Sequence, residues 1–126
     1  MTPLGKKLRE MREERNISLK DMAAGIDVSP AYLSALEHGN RSKPTWFLLQ
    51  RMIQFFNVIW DEAEELQRLA EISDPKVTID TSGMPPKATE LTNRLAQNID
   101  SLEEEDLAYL TQEIEQRGAR ARAKNR

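Results

Sequence analysis

The stretch Ile17–Gly39, ISLKDMAAGIDVSPAYLSALEHG, decides the fold, because its apolar spacing describes two short helices joined by a sharp turn. Ser18 and Ser29 stand where a hydroxyl can cap the start of each helix, and Gly39 supplies a left-handed residue at the end of the second. The positions predicted to be buried are Met22, Ala23, Ile26, Val28, Leu33 and Leu36. The pattern predicts a helix-turn-helix at about residues 19–38, a motif typical of DNA-binding proteins.

Three further amphipathic segments surround the motif and predict a domain of five short helices over residues 1–73. Helix one covers Pro3–Arg15, Thr45 caps a fourth helix, and Asp61 caps a fifth through a capping box with Glu64. The other residues assigned to the core are Leu4, Leu8, Met11, Phe47, Leu48, Met52, Phe55, Leu66, Leu69 and Ile72. The two tryptophans, Trp46 and Trp60, are interpreted as packing residues at helix ends rather than as platforms for base stacking.

Residues 74–86 form either an extended linker or a short strand. Val77–Thr81 alternates β-branched residues as a strand does, but the sequence contains no partner strand. One interpretation pairs this segment with its own copy across a dimer axis, and the other leaves it as a linker.

A helical hairpin is predicted over residues 87–117, with a second capping box at Ser101–Glu104 opening its last helix. Its apolar seam is too small to offset the entropy of ordering the hairpin, so another surface must cover it. We expect a second copy of the chain to do so, and the alternative is that the hairpin folds back onto the five-helix domain. The residues assigned to dimerisation are Val77, Ile79, Leu91, Leu95, Ile99, Leu107, Leu110 and Ile114. Residues 118–126 form a basic segment predicted to be a flexible tail, either solvated or acting as a nonspecific DNA tether.

The charge is distributed unevenly along the chain. The net charge is −3, yet residues 1–60 hold nine Lys and Arg against six Asp and Glu, and residues 61–117 hold five against fifteen. Residues 118–126 add four basic residues and no acidic one. Phosphate would attract the first segment and repel the second, so we expect the molecule to meet DNA through its amino-terminal part.

Composition argues against several other classes. The chain has 126 residues, one histidine and no cysteine, which leaves no thiol nucleophile, no thiolate metal site and no nucleophile beside a base. No glycine-rich phosphate loop and no apolar run of about 20 residues is present. We therefore expect a soluble cytoplasmic protein that is not an enzyme, has no metal or other cofactor and does not bind membranes.

Residues 4–58 resemble the Cro and phage-repressor class of helix-turn-helix proteins, the XRE family. The resemblance rests on Leu8, Arg12, Ser18, Met22, Ala23, Ile26, Val28, Ser29, Tyr32, Leu33, Ser34, Leu36, Glu37, Gly39 and Pro44. It implies a five-helix, repressor-like DNA-binding head and usually a homodimer on a two-fold symmetric operator. Together with the extended linker and the C-terminal helical hairpin predicted above, this makes the predicted fold all-α. The resemblance also implies a recognition helix at Ser29–His38 and a structural ion pair between Arg12 and Glu37. Two positions depart from the family pattern, with Leu19 in place of glutamine and Asp27 in place of glycine.

The predicted DNA-binding surface combines the recognition helix with the polar loop that follows it. Small groups of the helix can contact thymine methyls, and the cationic loop before the Thr45 cap can hold phosphate. Tyr32 is interpreted equally as a phosphate ligand or as a packing residue, and His38 as a cap of the helix carbonyls or as a DNA contact. The full set is Ser29, Pro30, Ala31, Tyr32, Ser34, Ala35, His38, Asn40, Arg41, Ser42, Lys43 and Thr45.

The sequence therefore predicts a sequence-specific double-stranded DNA-binding regulator, acting as a dimeric repressor on an inverted-repeat operator. The alternative is an antitoxin or an antagonist-controlled regulator whose hairpin binds a protein partner. The 45 or so residues after the domain are too few for the usual ligand-sensing pocket, so no small-molecule effector is expected.

Overall fold

The structure is a computed structural model that describes residues 1–125, and it separates into a first unit, Met1–Thr78, and a second unit that begins at Ile79. All regular structure in these residues is helical, which confirms the predicted all-α class. The first unit contains α1 (Pro3–Glu14), α2 (Leu19–Gly25), α3 (Pro30–Glu37), α4 (Trp46–Phe56) and α5 (Asp61–Glu71). The second contains α6 (Pro86–Asn98), a 3-10 turn (Ile99–Ser101) and α7 (Glu104–Lys124).

Hydroxyl caps set the starts of the first four helices. Ser18, Ser29 and Thr45 each accept a hydrogen bond from the backbone N–H three residues later, at 3.0, 3.0 and 3.2 Å. Thr2 does the same for α1 at 3.0 Å, a cap that sequence analysis missed. Each bond satisfies one of the backbone donors that the first turn of a helix leaves without a partner.

Two predicted caps are wrong by one or two residues. Asp61 is the first residue of α5, and Trp60 precedes it with φ 53° and ψ −121° and no capping hydrogen bond from its side chain. The cap of α7 is Glu103, which forms a capping box with Asp106, because Ser101 belongs to the preceding 3-10 turn. The acidic first turns of both helices still complement the helix dipole.

One hydrophobic core fills the first unit and includes the predicted motif residues, with Val28 and Tyr32 packed at its edge. Four predicted packing positions are wrong, and all four side chains are more than 60% exposed: Trp46, Phe47, Trp60 and Ile72. Helix α4 turns Leu48, Leu49, Met52, Ile53 and Phe56 inward, and this face leaves Trp46 and Phe47 outside. The sequence pattern placed the apolar face of α4 too close to its first turn.

Ser73 joins the start of α1 to the end of α5. Its buried hydroxyl accepts a hydrogen bond from the Leu4 N–H at 2.9 Å and donates one to the Leu69 carbonyl at 2.5 Å. The sequence pattern predicts only that Ser73 ends the domain. The contact ties the end of α5 to the start of α1 within the first unit.

The second unit buries no side chain within itself. None is buried along α6 or α7, so the predicted dimerisation residues of this unit, Ile79, Leu91, Leu95, Ile99, Leu107, Leu110 and Ile114, are exposed or only partly covered in the single chain. Helix α6 contacts the 3-10 turn, whereas α6 and α7 do not pack along each other as the predicted hairpin requires. The remaining member of that set, Val77, is exposed in the first unit.

The backbone shows the secondary structure of the segments that were predicted to be a strand or linker and a flexible tail. Val77–Thr81 forms no strand within the described chain and has no regular secondary structure. The segment predicted to be a flexible tail is helical, because α7 continues through Gly118 as far as Lys124. Alanine, arginine and lysine, which favour helices, outweigh the single glycine there. Arg126, the last residue of that predicted tail, lies outside the described residues. No helix among residues 1–125 is long and apolar enough to cross a membrane.

Candidate nucleic-acid interface

The turn between α2 and α3 sets the angle of the recognition helix. Asp27 occupies the left-handed region with φ 61°, in the position where the family often has glycine. The Val28 N–H donates to the Ala23 carbonyl at 3.0 Å and closes the turn. A short polar side chain tolerates this backbone conformation, so the departure from glycine leaves the motif intact.

The end of α3 is a Schellman motif. Gly39 has φ 82°, its N–H donates to the Leu36 carbonyl at 3.3 Å, and the Asn40 N–H donates to the Ala35 carbonyl at 2.9 Å. The chain therefore reverses sharply after the recognition helix. This reversal places Asn40–Lys43 directly after the carboxyl end of α3.

The outward face of α3 carries small side chains. Pro30 and Ala31 are exposed, while Ser34 and Ala35 are partly exposed. Ser29 uses its hydroxyl oxygen as the helix cap, which leaves its O–H free to donate to a phosphate or base. Such a face permits close approach to a groove but offers few donors for reading base edges.

His38 caps the end of the recognition helix. Its Nδ1 lies 2.8 Å from the Ser34 carbonyl oxygen. Because a carbonyl can only accept, this nitrogen must carry the proton, and the exposed Nε2 remains available to a ligand. The two roles considered for His38 are therefore compatible.

A polar, cationic clamp follows the recognition helix, and we define it as residues 40–43. All four side chains are exposed, and the Arg41 guanidinium lies over the Tyr32 ring at 5.7 Å from its centre. This cation–π contact holds Arg41 beside α3 while leaving its N–H groups free for a phosphate. Tyr32 thus packs at the core edge and positions a cation.

Lys76 joins this surface, and sequence analysis missed it because it lies in the segment read as a linker. An open cavity of about 590 Å³ lies between residues 39–42 and residues 74–76. Asp74 Oδ1 accepts the Lys76 N–H at 3.1 Å and fixes the local turn. The Asp-Pro-Lys sequence of residues 74–76 is a local turn signal, but only the fold shows that this turn lies next to the clamp.

Thr45 caps α4 immediately after the clamp, with its backbone N–H groups at the positive end of the helix dipole. The exposed Trp46 and Phe47 rings meet edge to face next to this cap, with centroids 5.2 Å apart. The aromatic pair adds an apolar surface beside the cationic loop.

Arg12 and Glu37 form a buried ion pair between α1 and the recognition helix, with Arg12 Nη1 donating to Glu37 Oε2 at 2.5 Å. Glu37 is 2% exposed and Arg12 8%. Burial raises the pKa of Glu37 above its ordinary value, and the attraction of Arg12 opposes that rise. Both side chains are buried and engage each other between the two helices, and this arrangement supports a structural role.

Gly5 sets the approach of the same two helices and was missed by sequence analysis. A Cβ at this position would overlap the Glu37 backbone, and the Thr2 N–H donates to the Glu37 carbonyl at 3.0 Å. The recognition helix is thus anchored to α1 at its carboxyl end by backbone and side-chain contacts together.

Among residues 1–125, no group of three or more His, Asp and Glu side chains is arranged to hold a metal ion. The surface built by α3, the clamp and the α4 terminus offers donors and cations.

Comparison with known proteins supports the helix-turn-helix assignment. Residues 8–62 match the family model described as Helix-turn-helix. The chain is 40% identical over 55 residues to the HTH-type transcriptional regulator DdrOP3 of Deinococcus deserti. That match covers 44% of this chain and 42% of the relative, so the chain aligns with less than half of that protein. No solved structure matches the chain. The family model, the sequence identity and the geometry agree that residues 8–62 of this chain are similar to the helix-turn-helix domain of a transcriptional regulator.

Proposed function

We propose that this chain is a sequence-specific double-stranded DNA-binding transcriptional regulator that acts as a dimeric repressor on an inverted-repeat operator. The observation that carries the proposal is the joint placement of an exposed, capped recognition helix and a cationic clamp on one XRE-type domain. The relative's printed name, HTH-type transcriptional regulator, supports the same class.

Phosphate contacts supply the affinity in this proposal. Arg41 and Lys43 of the clamp, with Lys76 beside it, are the cations best placed to neutralise phosphates. Replacing either Arg41 or Lys43 with alanine should weaken binding to every DNA sequence and lower the slope of log K against log salt by about one unit. Lys87→Ala is the matched control, because it removes an exposed lysine of α6, outside the helix-turn-helix domain.

Base recognition in this proposal depends on small side chains and on DNA shape. Ala31 and Ala35 offer methyl groups that can pack against thymine C5-methyls. Replacing contacted thymines of the operator with uracil should reduce affinity several-fold, whereas uracil at non-contacted central positions should not. Central base-pair changes that alter deformability should still change affinity. Specificity confined to a few guanines would contradict this part.

Dimerisation in this proposal depends on the exposed apolar residues of the second unit. A helix without a buried face gains little stability from its own sequence, and a second copy would cover Leu107, Leu110 and Ile114. The direct test recovers the DNA fragments that the purified chain binds and inspects their symmetry. Two inverted half-sites about 34 Å apart, or one helical turn, support a dimer, and a single asymmetric site contradicts it.

Repression is tested by transcription in vitro from a promoter that carries the recovered site. A repressor lowers the amount of transcript as its concentration rises, and an increase in transcript would contradict this assignment. The alternative occupant of the exposed seam is another protein, such as a toxin or an antagonist. A chain that stays monomeric until such a protein is added would favour that alternative.

A further inference from the structure

Helix α7 has opposite charges at its two ends. It spans 21 residues, about 31 Å at the usual rise per residue. Residues 103–106 are all acidic, whereas Arg117, Arg120, Arg122 and Lys124 make the other end basic. The helix dipole favours this distribution within one helix, so the charge pattern by itself does not identify a partner.

An apolar stripe on the same helix is the second observation. Leu107, Leu110 and Ile114 follow the alternating spacing of three and four residues that defines a coiled-coil seam. All three are exposed, and no residue of α7 is buried. A seam of this kind is stabilised when another helix covers it.

We propose that α7 pairs with α7 of a second copy in antiparallel orientation. A parallel pair would place the four acidic residues of one helix beside those of the other, and the basic ends together. An antiparallel pair places each acidic end beside a basic end, so charge complementarity selects this orientation. The inference rests on the dimer in the proposed function and specifies its helix and orientation.

The stripe and the flanking charges together select the register that we propose. Setting Leu110 opposite the partner's Ile114 places Leu107 beside the stem of the partner's Arg117. The seam-flanking residue Asp106 then lies beside the partner's Arg120, and the two-fold axis repeats this pair. Glu113 falls next to its own copy at the axis, and its ion pair with Arg117 at 2.9 Å reduces the repulsion.

The test uses sedimentation equilibrium of the full chain with Asp106→Arg and Arg120→Glu prepared separately. Each variant alone faces two like-charge contacts, so its dimer dissociation constant should rise about tenfold or more at low salt. In an equimolar mixture the two variants can form a heterodimer, in which both of these contacts join opposite charges. Dimerisation of the mixture should therefore return close to the original strength. Glu115→Arg is the matched control, because residue 115 points away from the seam, and its dimer should be unchanged.

Recovery in the mixture separates pairing from helix stability, because mixing restores neither the capping box of Asp106 nor the dipole contribution of Arg120. Since the chain has no cysteine, a second measurement can use Asp106→Cys and Arg120→Cys. Their mixture should form the crossed disulfide in preference to disulfides between identical chains.

The outcomes are distinguishable. If the unaltered chain dimerises but the mixture does not recover, the antiparallel orientation is wrong and the proposed dimer stands. If each variant alone dimerises as strongly as the unaltered chain, residue 106 does not lie beside the partner's residue 120, and the proposed orientation and register are wrong. If the unaltered chain is monomeric, both this inference and the dimer fail, while DNA binding by the first unit is measured separately by fluorescence anisotropy.

Discussion

Removing the Arg12 side chain should destabilise the first unit without changing which DNA sequence it prefers. Arg12→Met leaves the Glu37 carboxylate, 2% exposed, without its partner. Breaking a buried pair in this way costs about 3–5 kcal/mol. The whole unit of 78 residues has a free energy of unfolding of about 4–12 kcal/mol, so a large share of its stability would be lost.

This loss should be visible as a lower melting temperature. For 78 residues the unfolding entropy is about 0.16 kcal/mol/K, so the expected decrease is roughly 18–30 °C. The assay is thermal unfolding followed by circular dichroism. Arg9→Met is the control, because the Arg9–Glu13 pair lies on the surface of α1 and should contribute less than about 1 kcal/mol.

A second substitution distinguishes a structural role from a DNA contact. Desolvation is the largest influence on Glu37, so neutralising it as well, in Arg12→Met with Glu37→Gln, should restore most of the lost stability. The double variant should bind the operator with unchanged sequence preference at a temperature where it is fully folded. An unchanged melting temperature of Arg12→Met together with altered operator preference would refute the reasoning.

Four further outcomes are expected. In Arg12→Met the attraction of Arg12, which lowers the pKa of Glu37, is absent, whereas the burial that raises this pKa remains. The Glu37 carboxyl therefore binds its proton more tightly in the folded state than in the unfolded state. The contribution of Glu37 to stability should therefore be fully present below pH 4.5 and be lost as the pH rises through its raised pKa. Denaturant titrations at several pH values, compared with Arg12→Met combined with Glu37→Gln, can measure it, and identical profiles would contradict the burial argument. Gly5→Ala should cost about 1–3 kcal/mol in urea unfolding, because its Cβ overlaps the Glu37 backbone. Ser73→Ala should cost about 1–3 kcal/mol in the same assay by leaving the Leu4 N–H without its acceptor, and a neutral result would show that water replaces the hydroxyl. Gly118→Ala should instead stabilise α7 by about 0.5–1 kcal/mol, since its Cβ meets only the flexible Arg122 side chain at 3.3 Å, and a loss of helical circular dichroism would show a hidden contact.

Three aromatic residues at the starts of α4 and α5 are exposed, although the sequence predicts that they pack against the domain. Local apolarity assigned Trp46, Phe47 and Trp60 to packing, yet all three are exposed. A hydrophobic side chain is buried only if it lies on the face of the helix that packs against the core. In α4 this face is the one that carries the buried Leu48 and Met52. A one-residue error in phase was enough to assign Phe47 to the wrong face.

The sequence by itself determined the all-α class, the helix-turn-helix, its serine and threonine caps, and the left-handed residue at Gly39, because these features depend on local periodicity and on backbone preferences. Only the tertiary structure decided that Gly5 touches Glu37, that Ser73 joins α1 to α5, and that Lys76 lies beside the clamp. These contacts join residues that are between 32 and 69 positions apart, or lie across a cavity, and no local pattern encodes such distances. The structure also decided that residues 118–124 are helical. A glycine at the start of a basic segment favours a flexible tail locally, but α7 continues through it because the residues that follow favour helix.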